Sequence, residues 1–143
     1  MADRILVPVD GSDHSRRALQ TAATEFTADE RIVLHVVDPF DLEAATEDAV
    51  WGREFMEQRE REAEALLEEY EELAAEHGVS VRTELTHGSP ARAIIGAADD
   101  FDVDHIVIGS RGRSGIDRVL LGSVAETVAK RAPTSVTIVR PDR

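Results

Sequence analysis

The sequence predicts an α/β fold: a doubly wound, five-stranded parallel sheet in spatial order 3-2-1-4-5. Three observations predict it. Strand and helix signals alternate along the whole chain as β-α-β-α-β-α-β-α-β, a pattern that requires right-handed crossovers and parallel pairing. Three short runs, residues 5–9, 32–37 and 105–108, are apolar almost throughout, as strands covered on both faces must be. A further run, 79–86, alternates apolar with polar side chains and therefore belongs at a sheet edge.

The first strand, Ile5-Leu6-Val7-Pro8-Val9, ends at the turn signal Asp10-Gly11-Ser12. Ala18, Leu19, Ala22, Ala23 and Phe26 then recur at helical spacing. The second strand, Ile32 to Val37, stops at Asp38-Pro39, and residues 39–52 read as a loop or weak helix. Arg53 to His77 is a strong helix with Phe55, Met56, Arg59, Ala63, Leu66, Leu67, Tyr70, Leu73 and Ala74 on one face. Ten glutamates fill much of the remainder as a solvated face, and Gly78 stops the helix. Val79, Val81, Thr83 and Leu85 mark the edge strand. His87-Gly88-Ser89-Pro90 opens a helix with Pro90 near its first turn and Ala91, Ile94, Ile95 and Ala98 as its buried stripe. His105 to Ile108 is the fourth strand. Val124 to Arg131 is the last helix and Val136 to Val139 the last strand.

The 143 residues suit one domain, 1–143, with one sizeable core. The chain has no cysteine, which excludes disulfides, thiolate metal sites and cysteine nucleophiles. Its N-terminus lacks a signal-peptide pattern, and no run approaches the roughly 18 apolar residues of a membrane span. The expected location is cytoplasmic. A net charge of −13 repels nucleic-acid phosphates and anionic membranes, so neither is an expected partner. Lys130 is the only lysine, and the acidic, lysine-poor composition fits a halophilic protein whose self-repulsion is screened by salt. An ordinary acidic protein is the alternative.

In a doubly wound sheet the ligand lies beyond the carboxyl ends of the strands where the order reverses. That point falls between the first and fourth strands, so Asp10-Gly11-Ser12 and the loop after Ile108 should frame a site. The loop is glycine-rich and runs from Gly109 to Ser123. Ser123-Val124-Ala125-Glu126 has the form of a capping box at a helix start. The first amides of such a helix attract anions, and glycines let backbone approach them closely. From Gly109 to Arg131, five basic residues (Arg111, Arg113, Arg118, Lys130, Arg131) face only Asp117 and Glu126, a positive stretch in an acidic chain. A Walker A loop is absent because Lys130 follows Ala129, and the dinucleotide fingerprint fails because only Gly11 follows the first strand.

The spacing that does occur is Gly-x2-Gly-x9-Gly-Ser, met by Gly109, Gly112, Gly122 and Ser123. With Pro8-Val9-Asp10-Gly11-Ser12, His35-Val36-Val37-Asp38, His87-Gly88-Ser89-Pro90 and Leu120-Leu121-Gly122-Ser123-Val124-Ala125, the chain resembles the universal stress protein family over its whole length. The resemblance implies an adenine nucleotide alpha hydrolase-like version of the fold, and the complete glycine motif resembles the members that bind ATP. It further implies that Asp10 and the backbone of Pro8 and Val9 border the adenosine, and that Val36 walls the adenine. Ile108 and Gly109 would lie under the ribose and phosphates. Gly112, Gly122, Ser123 and Val124 would give amides, and Ser123 its hydroxyl, to the polyphosphate. Arg111 and Arg113 would add charge. Mg or Mn would travel on the phosphates, since few carboxylates converge beyond Asp10 and Asp38.

Blander roles stand beside these. Asp10 could be a turn residue capping the first helix, and Ser123 a plain helix cap. Gly115 falls outside the matched spacing. Asp99, Asp100, Asp102 and Asp104 read as a solvated turn, and His35 as a packed core histidine. No base for phosphoryl transfer is evident. The reading is therefore an ATP-binding stress-response or regulatory protein, with a nucleotide-independent interaction module and a slow ATPase as alternatives. The uncharged last strand, Ser135 to Val139, invites a homodimer through its edge, and the resemblance points the same way. Pro39 to Gly52 would form a mobile cover reported by Trp51.

Overall fold

Residues 2–38, 53–111 and 122–140 are described by a computed structural model. They form β1 (Ala2–Val9), α1 (Asp13–Thr24), β2 (Ala28–Val37), α2 (Arg53–Glu76), β3 (Arg82–His87), α3 (Pro90–Asp100), β4 (His105–Gly109), α4 (Ser123–Arg131) and β5 (Ser135–Val139). The strands make one parallel sheet in the order β3-β2-β1-β4-β5, as the sequence predicts. Gly112, Gly115, Arg113 and the segment from Pro39 to Gly52 with Trp51 lie outside the described residues.

The period of two along each strand splits the core into two layers. Ile5, Val7, Val9, Val33 and Val107 face α1 and α2 and pack on Ala18, Leu19, Ala22, Leu67, Tyr70 and Ala74. Leu6, Ile32, Leu34, Ile106 and Ile108 face α3 and α4 and pack on Ile94, Ala97, Ala98, Ala125 and Val128. Burial on both faces explains the unbroken apolar runs of β1, β2 and β4. Each such side chain stabilises the fold by about 1.5–3 kcal/mol.

The edge strand is shorter than its alternation predicts, and the end of α2 is the reason. Gly78, at φ +76°, closes a Schellman motif in which Val79 N–H donates to Ala74 C=O at 3.1 Å and Gly78 N–H to Ala75 C=O at 3.0 Å. Val79 is thus committed to the cap, and pairing starts at Arg82 opposite Ile32. The helix expected to reach His77 accordingly ends at Glu76.

The expected capping box at the start of α4 is not formed. Gly122 is the N-cap, with φ −71° and ψ 160°, and Ser123 is the first helical residue. Gly122 is pinned there because its N–H donates to Ser110 C=O at 2.6 Å. The frame shifts by one residue, so Glu126 falls beyond the reciprocal position and pairs with Lys130 at 2.8 Å instead.

Candidate functional site

The sheet opens where its order reverses, and Pro8 accounts for the opening. Alternate residues of a strand direct their N–H and C=O to the same neighbour. Arg4 C=O accepts from Asp104 N–H at 2.9 Å, so the even-numbered residues of β1 face β4. Pro8 shares that side and has no N–H to give. The β1–β4 register ends at Leu6↔Ile106, whereas β1 stays paired with β2 as far as Val9↔His35. β4 stays paired with β5 through Gly109↔Val139. A crevice therefore begins between Pro8–Asp10 and Ile108–Ser110, with the Pro8 carbonyl on its β4 side.

One wall is the turn after β1. Ser12, not Asp10, caps α1, its hydroxyl oxygen accepting from Ser15 N–H at 3.1 Å. Asp10 Oδ1 accepts from Ser12 N–H at 2.9 Å. Gly11 N–H donates to the Tyr70 hydroxyl at 3.1 Å, and Asp10 N–H to Ser15 Oγ at 3.3 Å. All three amides of the turn are thereby used inside the protein. The turn itself presents the Asp10 carboxylate, and its own three amides are taken. Below it, His35 Nδ1 lies 2.8 Å from Val9 C=O. A carbonyl can only accept, so Nδ1 carries the proton. His35 is half-buried and ties β2 to the last residue of β1, a more specific role than core packing.

The other wall is the neck between β4 and α4. Gly109 owes its identity to α1, because a Cβ there would lie 2.8 Å from the His14 backbone. Gly122 is set by the neck itself, where a Cβ would meet Arg111 Cα and Ser110 O at 3.2 Å. Ser110 is buried, and its hydroxyl lies 3.3 Å from His14 Nδ1. Beyond the neck, the first intrahelical bond of α4 is Glu126 N–H to Gly122 C=O at 2.9 Å. The amides of Ser123, Val124 and Ala125 precede it, and among the described residues none of them has a partner. They are the orphan donors at the positive end of the helix dipole, and this N-cap has no side chain to cover them. The wall thus presents amide donors.

The structure brings Pro8, Val9 and Asp10 to one lip of the crevice, Ile108 and Gly109 to the other, and Arg111, Gly122, Ser123 and Val124 to the neck. Val36 lies one strand away, on the α3 side of β2. The acidic turn before β4 is elsewhere: Asp104 accepts from the Asp3 and Arg4 amides at the opposite end of β1. Among the described residues no group of three or more His, Asp or Glu is arranged to hold a metal ion. No described helix is long and apolar enough to cross a membrane. A groove of about 390 Å³ lies between β3 and α3, but its His87 is already paired with Glu60 at 3.1 Å. Sequence reading missed Tyr70, Ser15, Ser110 and His14. A lone tyrosine on an apolar helix face and a serine three residues after the cap are the signals that could have found the first two.

A family model for the universal stress protein family matches residues 1–140. A universal stress protein of Methanocaldococcus jannaschii is 36% identical over 140 residues, covering 96% of this chain and 81% of the relative. The structure of the universal stress protein UspA from Lactobacillus plantarum superposes with a TM-score of 0.81 at 28% identity, over 96% of this chain and 97% of that one. A universal stress protein solved in complex with cAMP superposes with a TM-score of 0.71 at 26% identity, over 99% of each chain.

Proposed function

The chain belongs to the universal stress protein family, and on that premise we propose that it binds an adenine nucleotide, ATP, in the crevice between β1 and β4. The observation that carries the reading is the opposite polarity of the two walls. A carboxylate and a carbonyl stand on the β1 side, and on the α4 side amides that have no partner among the described residues. A ligand that gives donors at one end and takes them at the other fits this arrangement. A nucleotide does so, with sugar hydroxyls or a base amine at one end and phosphate oxygens at the other. Adenosine then lies against Pro8, Val9, Asp10 and Val36, and the ribose over Ile108 and Gly109. The polyphosphate meets Gly122, Ser123 and Val124, with Gly112, Arg111 and Arg113 contributing from the loop. Mg or Mn would be carried mainly by the phosphates, with Asp10 the carboxylate at the crevice. The relative solved with cAMP supports an adenine nucleotide as the ligand class.

The role is that of a nucleotide-responsive regulatory protein, with slow hydrolysis as the enzymatic alternative. We further propose a homodimer through β5, whose residues Ser135–Val139 carry no charge and lie at the sheet edge. The test is calorimetric titration in molar salt with ATP and AMP. ATP binding that exceeds AMP binding, and that drops by tenfold or more in Asp10→Ala, supports the assignment. Absence of binding to either nucleotide refutes it and leaves the dimeric interaction module as the reading.

A further inference from the structure

We infer that Tyr70, with Ser15, is a positioning residue of this site: a buried hydroxyl lock by which α2 holds the Asp10–Gly11–Ser12 turn in its ligand-receiving shape. The inference rests on the nucleotide reading for what the turn receives, and on geometry alone for the lock.

Tyr70 is 1% exposed and is the largest fully buried side chain among the described residues, while Ser15 is 4% exposed. An apolar helix face could be completed by phenylalanine, so the phenol oxygen needs its own explanation, and the hydrogen bonds supply one. Ser15 Oγ lies 3.1 Å from Ser12 C=O, which can only accept, so the serine proton goes there. The short 2.5 Å contact between Tyr70 and Ser15 is then donated by the phenol. With its own proton spent, the phenol oxygen accepts Gly11 N–H at 3.1 Å, and Ser15 Oγ also accepts Asp10 N–H at 3.3 Å. The two hydroxyls bind three of the turn's backbone groups, at Asp10, Gly11 and Ser12.

The turn depends on such support because Gly11 sits at φ +86°. Leu66, one helical turn before Tyr70, closes over Gly11, its Cδ1 lying 3.5 Å from where a Cβ would be. Two successive turns of α2 thus seat the turn, one by shape and one by hydrogen bonding. The carboxylate of Asp10 inherits this placement through its bond to Ser12 N–H. Burial also holds the phenol above its ordinary range, although the Ser15 and Gly11 bonds pull the other way. The phenol therefore stays protonated and able to donate. Among the described residues none of Tyr70, Ser15 and Leu66 bonds Gly122, so the lock acts chiefly on the β1 wall.

That asymmetry gives the test. Tyr70→Phe keeps the ring and removes the lock. ATP and inorganic tripolyphosphate are titrated calorimetrically into both proteins, because tripolyphosphate reports the α4 wall alone. ATP affinity should fall by about tenfold, the loss of one well-made buried hydrogen bond. Tripolyphosphate affinity should stay within about twofold, being set by distant groups. In parallel, amide hydrogen exchange at Gly11 should accelerate while that at Leu6 does not. If Tyr70→Phe does not fold, Ser15→Ala, which removes the other half of the lock, is read in the same way. Unchanged ATP affinity in a folded variant overturns the inference, and so does an equal fall for both ligands, which marks a purely structural role. Should the wild-type protein bind no ATP, the nucleotide reading fails instead. Gly11 exchange then decides the lock by itself: acceleration in Tyr70→Phe upholds it and no change removes it.

Discussion

Single residues at the crevice separate into those that serve the fold and those that serve a ligand, and the difference is measurable. Gly109→Ala puts a methyl 2.8 Å from the His14 backbone, which cannot yield as a side chain can. Overpacking of this kind costs about 1–3 kcal/mol and should lower the melting temperature with or without nucleotide. The matched glycine spacing made Gly109 legible as important. The structure adds a reason that lies outside the motif: the obstacle to a side chain there is α1, a contact made at long range. His105 carries a second residue-scale prediction. Burial lowers the pKa of its imidazole, which lies 5.0 Å from the Phe26 ring and bonds Thr137 Oγ1 at 2.6 Å. The native state takes up a proton less readily than the unfolded chain, which accepts one near its ordinary value of about 6.5. Stability is therefore full above that pH and declines as pH falls below it. Urea midpoints measured from pH 7 to pH 5 should drop in the wild type and drop less in His105→Gln; equal slopes would refute the assignment.

Elements explain what periodicity could and could not say. The three apolar runs and the one alternating run were enough to rank central strands above edges, because burial on two faces removes polar residues from both. Strand ends were less legible. The Schellman turn at Gly78 took Val79 from β3, and the bond from Gly122 to Ser110 moved the start of α4 by one residue. Both are competitions between backbone hydrogen bonds that composition does not encode. Pro8 was legible as a motif member, and its effect becomes clear only once β4 is known to be its neighbour. Pro8→Ala restores an N–H on the β4 side of β1. The account predicts a protein of equal or higher stability, by up to about 1 kcal/mol for one further hydrogen bond, with weaker nucleotide binding as the crevice narrows. Thermal melting with calorimetry checks this, and tighter ATP binding in Pro8→Ala would contradict it.

At the scale of the whole molecule, the charge of −13 sets the working conditions. Self-repulsion reaches over about 10 Å at 0.1 M salt and about 3 Å at 1 M. The melting temperature should rise steadily with KCl across that range; a flat or falling profile would count against a halophilic surface. Light scattering over the same range tests the β5 edge, where Ser135→Lys, at the exposed start of the strand, should yield a monomer with the fold retained. The fold order, the position of the crevice and the family were within reach of the sequence, because alternation, burial and the glycine spacing all act locally along the chain. The hydroxyl lock of Tyr70 and Ser15 was not, because it joins residues that meet only after α2 packs on α1.

The central claim is that phosphates sit on the first amides of α4, and one substitution isolates it. Ser123 is the first helical residue, where proline is tolerated, and Gly122 already holds the extended conformation that a following proline requires. Ser123→Pro therefore removes one of the first three amides of α4, along with the hydroxyl, while leaving the helix in place. The measurement is ATP affinity of the wild type and Ser123→Pro by calorimetry in molar salt, alongside their melting temperatures without ligand. The account predicts similar melting temperatures and a fall in affinity of roughly tenfold or more, the worth of a charge-assisted hydrogen bond. Equal ATP affinity in the two proteins would contradict it.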